Sequence, residues 1–219
     1  MNTGLKRLIA LASMAMLSAL AFAAMFFIKI PVVLFLSYEP KDIVLAIGGF
    51  LFGPLAAAAM SLVVSLVEMV TVSTTGWIGA LMNVLSSCSF VCVAAAVYSK
   101  KRTYRSAIIG LALGCVTTTA VMLLWNYLIA PFYMNASRED VAKLLVPAFL
   151  PFNLLKSGIN AAVTVLVYMP LKKALEVAKL LPKRPDDESR GMGFWGLLLC
   201  AVALLGTCVL VILAWRGII

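Results

Sequence analysis

The sequence predicts an all-α fold, a polytopic bundle of transmembrane helices, and three observations carry that prediction. Hydrophobic residues fill 63% of the 219 positions and charged residues only 12%, far from the balance of a soluble domain. The apolar runs repeatedly reach the ~20 residues that a helix needs to cross a bilayer. The 18 Lys and Arg outnumber the nine Asp and Glu, yet they gather in the short connections between apolar runs. A net charge of +9 arranged in that way reports membrane topology, and no nucleic-acid partner is expected.

The first spanning helix is predicted over residues 8–28, after a short basic leader. The run is long for the apolar core of a secretory signal, and further spans follow it. Ala15, Ala19 and Ala23 recur every four residues and share one face, where small side chains let another helix approach. Residues 29–42, KIPVVLFLSYEPKD, contain Tyr38, two prolines that oppose a continuous helix, and a VVLFL core too apolar for water. A loop folded back over the bundle is the expected solution. Residues 43–52 then make a short second span, Gly53 and Pro54 turn the chain, and residues 55–72 make the third. Glu68 falls near the end of that helix, where a carboxylate either snorkels to the interface or serves a site.

The fourth helix is expected over residues 78–98, with Trp77 before it and Asn83 near its start. A basic loop, SKKRTYR, leads to the fifth at 107–128, whose far end carries Trp125 and Tyr127 as aromatic interface anchors. The sixth runs from about Leu144 to Met169, interrupted early by Pro147 and Pro151, which free backbone carbonyls that other groups must satisfy. Three units result: a six-helix membrane domain over 1–172, a charged cytoplasmic linker over 173–193, and an additional C-terminal transmembrane helix within 194–219.

Charge asymmetry orients this map. With the N-terminus in the cytoplasm, twelve basic residues fall inside and five outside, leaving Lys156 within a helix. The same orientation puts Asp42, Glu68, Trp77, Asn83, Asn126, Asn153 and Lys156 in the outer half of the bundle, with Tyr38 and Tyr127 close by in the chain. A lysine and several amides, Asn160 among them, are costly inside apolar helices unless something binds them, so a polar pocket open to the outside is expected. Amides offer donors and an acceptor, lysine offers donors, and the region is rich in Tyr, Trp and Phe. That set suits a flat, partly aromatic ligand edged with carbonyls and ring nitrogens. The alternative for any one asparagine is interhelical hydrogen bonding worth ~0.6 kcal/mol. Lys156 needs a partner in addition, and Glu68 is the deep acid that the helix map offers it. A metal is not expected, because the chain has no histidine and no carboxylate cluster; the five cysteines all lie in apolar runs and read as small packing residues.

Three stretches, YEPKDIVLAIGGFLFGPLAA (38–57), NYLIAPFYM (126–134) and above all PAFLPFNLLKSGINAA (147–162), resemble the riboflavin-specific substrate-binding subunits, or S components, of energy-coupling factor vitamin transporters. The resemblance covers residues 8–172. It implies a six-helix bundle in the cell membrane that binds riboflavin from outside as a transported ligand, with no cofactor. It also implies association with a transmembrane T component and two cytoplasmic ATPase subunits. By motif, Asn126, Asn153 and Lys156 are implied to contact the isoalloxazine ring, the loop before Asp42 to act as a lid, and the Ala15, Ala19 stripe to face the T component. The linker and seventh span depart from the family pattern, as does the third helix, with Ser61, Ser65 and Glu68.

The chain carries no GxxxxGK[ST] loop, so ATP hydrolysis is expected on partner subunits and the chain itself is not an enzyme. Two other readings share the architecture. One is an S component for another flat vitamin such as biotin or thiamine, the latter opposed by the charge of Lys156. The other is a stand-alone secondary transporter with Glu68 as a proton relay, which would take up its substrate without partner ATPases. A membrane enzyme is disfavoured, since no nucleophile, base and orienting group occur together.

Overall fold

The computed structural model of the chain describes residues 3–34, 36–73 and 76–177. They form the predicted helix bundle with one addition, a two-stranded β-hairpin. The first helix, α1 (Thr3–Phe27), is uninterrupted and touches the rest of the bundle along only part of its surface, leaving Leu8, Leu11, Met16 and Leu20 exposed. In a membrane protein such a face meets lipid or another helix.

The expected loop over 29–42 is largely this hairpin. Strand β1 (Ile30–Val33) pairs antiparallel with β2 (Leu36–Tyr38), placing Ile30 opposite Tyr38 and Pro31 opposite Ser37. Pro31 is tolerated because β1 is an edge strand, where a missing N–H breaks no second ladder. The apolar VVLFL run is thus partly folded inward, with Leu36 buried against Ala130, Val141, Phe149 and Phe152.

The short second span is α2 (Lys41–Phe52), whose twelve residues rise ~18 Å, too little to cross a bilayer. It is the centre of the bundle: nine of its residues are buried, among them Lys41 and Asp42 in its first turn. Gly53, at φ 98°, closes the turn into α3 (Pro54–Thr71). Next come α4 (Gly76–Lys101) and α5 (Tyr104–Met134), which pack closely at one end. A Cβ on Gly110 would lie 2.7 Å from the Ala94 carbonyl oxygen, and one on Gly114 2.8 Å from that of Phe90, so no larger residue fits without moving a helix.

Helix α5 exceeds the expected 107–128 at both ends. Thr103 and Ser106 form a capping box at its start, and it continues through Pro131 to Asn135, whose left-handed conformation ends it. The expected sixth helix is also longer and is divided. A seven-residue helix, α6 (Arg138–Leu144), begins at a Ser137 cap and enters a π-helical turn (Leu145–Phe149) that leads into α7 (Leu150–Val177). The prolines cause a local widening and not a break: Leu150 N–H reaches back five residues to the Leu145 carbonyl. Helix α7 therefore runs past residue 172 into the stretch expected as linker, while the rest of that linker and the seventh span lie outside the described residues.

Among the described residues five helical stretches are long and apolar enough to span a membrane: Arg7–Phe27, α3, α4, α5 and Arg138–Lys173. The end opposite the hairpin closes around Phe50, Tyr98 and Tyr168, whose rings meet at centroid distances of 4.5–5.6 Å. The hairpin end is different, and it holds the cavity.

Candidate functional site

A cavity of about 610 Å³ opens at the hairpin end, within the range of small-molecule sites. Its walls come from the hairpin and its flanks (Lys29, Leu36, Ser37, Glu39), α3 (Glu68), α4 (Met82, Asn83, Ser86), α5 (Met122, Tyr133) and α7 (Phe152, Lys156). Three methionines, Met82, Met122 and Met134, and two aromatic rings supply polarisable faces, while amide, lysine and carboxylate groups supply directed polar contacts.

The widened turn before α7 prepares Asn153. This side chain is buried and donates through Nδ2 to the Phe149 carbonyl at 2.8 Å, which fixes the amide and still leaves it a second donor hydrogen and an acceptor oxygen. One turn on, Lys156 projects into the cavity, and among the described residues no carboxylate lies within ion-pair distance of it. Asn126, wholly buried on α5, donates to the Met122 carbonyl at 2.8 Å and accepts from the Tyr133 hydroxyl at 3.2 Å. Tyr133 thereby links a buried amide to the cavity wall.

Beside this group lies a second buried network. Asp42 accepts from Ser87 Oγ at 2.5 Å and from Asn160 Nδ2 at 3.4 Å, and Tyr38 donates to Asn160 Oδ1 at 3.1 Å. Burial, reinforced by the nearby Asp42 charge, pushes the Tyr38 hydroxyl above its usual pKa and keeps it a donor. Glu39, Lys41, Glu68 and Lys29 form a chain of ion pairs under the hairpin: Lys41 Nζ lies 2.7 Å from Glu68 and 3.3 Å from Glu39, and Lys29 lies 3.3 Å from Glu39. Burial alone would raise the Glu39 pKa, but Lys41, Lys156 and Lys29 outweigh it and hold the carboxyl below its usual value.

Residues 10–168 match the family described as "ECF transporter, substrate-specific component". The chain belongs to this family. It is 32% identical over 180 residues to the riboflavin transporter RibU of Staphylococcus aureus (strain TCH60), a match covering 78% of this chain and 93% of that relative. Identity to RibU of Streptococcus thermophilus (strain ATCC BAA-250 / LMG 18311) is 30% over 176 residues, covering 75% and 83% of the two chains. A solved structure described as the S component of a bacterial ECF transporter superposes with a TM-score of 0.68 at 30% identity, covering 78% of this chain and 99% of the other. The resemblance carried by residues 38–57, 126–134 and 147–162 is thus borne out as membership of this family.

In this S component the structure gathers most of the residues singled out in the sequence. Glu68, Asn83 and Lys156 line the cavity, while Tyr38, Asp42, Asn126 and Asn153 are buried in its supporting networks. Trp77, 71% exposed, and Tyr127, 40% exposed, are not among the lining residues; they lie on the outward faces of α4 and α5. Ala15 and Ala19 are exposed on α1 and Ala23 is half-buried. One expectation is corrected: Glu68 is not the partner of Lys156, because Lys41 already occupies it, and Glu39 and Asp42 are deep acids as well. Lys41, Glu39, Ser87 and Tyr133 belong to these networks or to the cavity wall without standing out in the sequence pattern. The available signal was the cluster EPKD inside an otherwise apolar connection, too many charges for a segment that packs on a bundle.

Proposed function

We propose that this chain binds riboflavin in the hairpin-end cavity and serves as the substrate-specific subunit of an ATP-driven uptake system. The observation that carries the reading is one cavity of flavin-compatible size and mixed polarity, lined by Lys156, Tyr133 and Phe152, with Asn153 beside Phe152 in the chain and Asn126 hydrogen-bonded to Tyr133 behind the wall. The riboflavin transporters among its relatives support the ligand assignment. In this reading Asn126 and Asn153 pair with the pyrimidine edge of the isoalloxazine ring, and Lys156 donates to a ring carbonyl or a ribityl hydroxyl. Phe152, Met82 and Met122 cover the ring faces. The hairpin is the lid, and closing it removes the ligand from water, which strengthens each polar contact. No covalent step is involved.

The cavity faces outside when the N-terminus is cytoplasmic, as the distribution of basic residues favours. A T component approaches the Ala15, Ala19, Ala23 face of α1, and two ATPase subunits supply the energy. The Glu68–Lys41 pair disfavours the proton-relay alternative, because this carboxylate is already engaged in a buried ion pair, 2.7 Å from Lys41.

The test is the visible absorption of purified protein and the quenching of riboflavin fluorescence on titration, with Lys156→Ala and Asn153→Ala alongside. Sub-micromolar quenching that both substitutions weaken is the expected result. Protein that neither carries flavin nor quenches it sinks the ligand assignment and directs attention to other flat vitamins.

A further inference from the structure

Lys41 is the least expected buried side chain in the molecule. It begins the central helix, is 1% exposed, and does not line the cavity. An ammonium has three donor hydrogens, and Lys41 has three partners on three other segments: Glu68 on α3 at 2.7 Å, Glu39 between β2 and α2 at 3.3 Å, and Met25 Sδ on α1 at 3.7 Å. Two of those partners do face the cavity. Glu39 and Glu68 both line it, each nearly buried, and without a cation between them two carboxylates would share one desolvated region. Glu39 then passes the connection on to Lys29 at the other foot of the hairpin. One chain, Lys29–Glu39–Lys41–Glu68, therefore ties both feet of the hairpin to α3.

We propose that Lys41 is a positioning residue for ligand retention: from behind the cavity wall it bridges Glu39 and Glu68 and so clamps the base of the hairpin to α3. The clamp sets where the hairpin sits over the cavity and how long it stays there, without touching the ligand. This inference rests on the reading of the hairpin as a lid. Removing the clamp frees the hairpin to open, so it acts on dissociation; association, which needs an open lid in either case, changes little. Burial makes the arrangement sensitive, since an unpaired charge in this region is far costlier than the same charge at the surface.

The experiment compares the whole protein with Lys41→Met and Glu68→Gln, the second being a milder change that keeps the shape of the site should the first fail to fold. Two quantities are read: the riboflavin dissociation rate, and hydrogen exchange of backbone amides in 29–39 without ligand. Lys41→Met is expected to speed dissociation at least tenfold, with association altered less than threefold, and to speed hairpin exchange while α4 and α5 keep wild-type protection. Glu68→Gln should shift both quantities in the same direction, and combining it with Lys41→Met should add little, because both break the same clamp. Unchanged hairpin exchange overturns the proposal. So does exchange that rises evenly across the bundle, which would make Lys41 a fold-stabilising residue and nothing more. If the wild-type protein does not bind riboflavin, the ligand reading fails, and the exchange measurement still decides the clamp.

Discussion

The two ends of the bundle are built on opposite principles. At the end away from the hairpin, Gly110 and Gly114 let α4 and α5 close to backbone contact, and Phe50, Tyr98 and Tyr168 fill the remaining space with rings. At the hairpin end the same helices line a cavity of about 610 Å³, and buried side chains include Asp42, Glu39, Glu68, Lys41, Asn126 and Asn153. Packing holds the first end, where each contact is small and non-directional but many add up. Directed polar bonds hold the second, and they are worth keeping in an apolar solvent only where function needs them. The difference teaches which substitutions should affect folding and which should affect ligand.

The largest separation is expected at Lys156. Its replacement by alanine deletes the charge-assisted hydrogen bond proposed to the ligand, of ~1.5–3 kcal/mol, so riboflavin affinity should fall roughly ten- to a hundredfold. The thermal midpoint of ligand-free protein should stay level or rise, because a partly buried cation is removed. A fall in affinity with an equal loss of stability would break the comparison, since it would make Lys156 part of the frame. The reverse separation belongs to Gly114→Leu, where the new side chain must displace the Phe90 backbone. Overpacking of this kind costs about 1–3 kcal/mol, read as a lower unfolding midpoint in detergent, with the affinity of the folded fraction unchanged.

Asn153→Ala comes next. It removes the neutral hydrogen bond proposed to the ligand as well as the tie to the Phe149 carbonyl, so affinity should fall up to about tenfold in the same fluorescence titration. A loss larger than that of Lys156→Ala would sharpen the comparison by showing that the widened turn, and not the cation, dominates recognition.

How much of this was legible in the sequence follows the same division. Helices depend on runs of apolar residues, which read directly, and the shortness of α2 was visible as ten apolar residues ending at Gly53 and Pro54. The hairpin was legible as a non-helical, half-buried connection but not as strands, because Pro31 and the VVLFL run fit several irregular foldings equally well. Asn153 and Lys156 stood out because each is polar inside an apolar helix. Lys41 and Glu39 did not, for a charge next to proline in a connection is normally solvated, and only tertiary folding carries these two inward. Trp77 and Tyr127 show the converse: aromatic residues at helix ends fit an interface belt as well as a ligand, and here they are exposed.

The smallest expected effect tests the packed end most finely. Tyr98 and Tyr168 place their hydroxyls 2.7 Å apart, both almost fully buried. Tyr98→Phe removes one partner and leaves the other hydroxyl without this bond, which should lower stability by about 1 kcal/mol or less, given that hydrogen bonds between membrane helices average ~0.6 kcal/mol. Tyr168→Phe should do the same. The double substitution should lie closer to wild type than the two singles predict together, because it takes away the unsatisfied group along with the bond and keeps both rings in contact with Phe50. Riboflavin affinity should be unchanged in all three variants. A double variant that loses the full sum of both singles would mean that the hydroxyl pair, and not the ring packing, holds this end. The two ends would then differ in degree and not in kind.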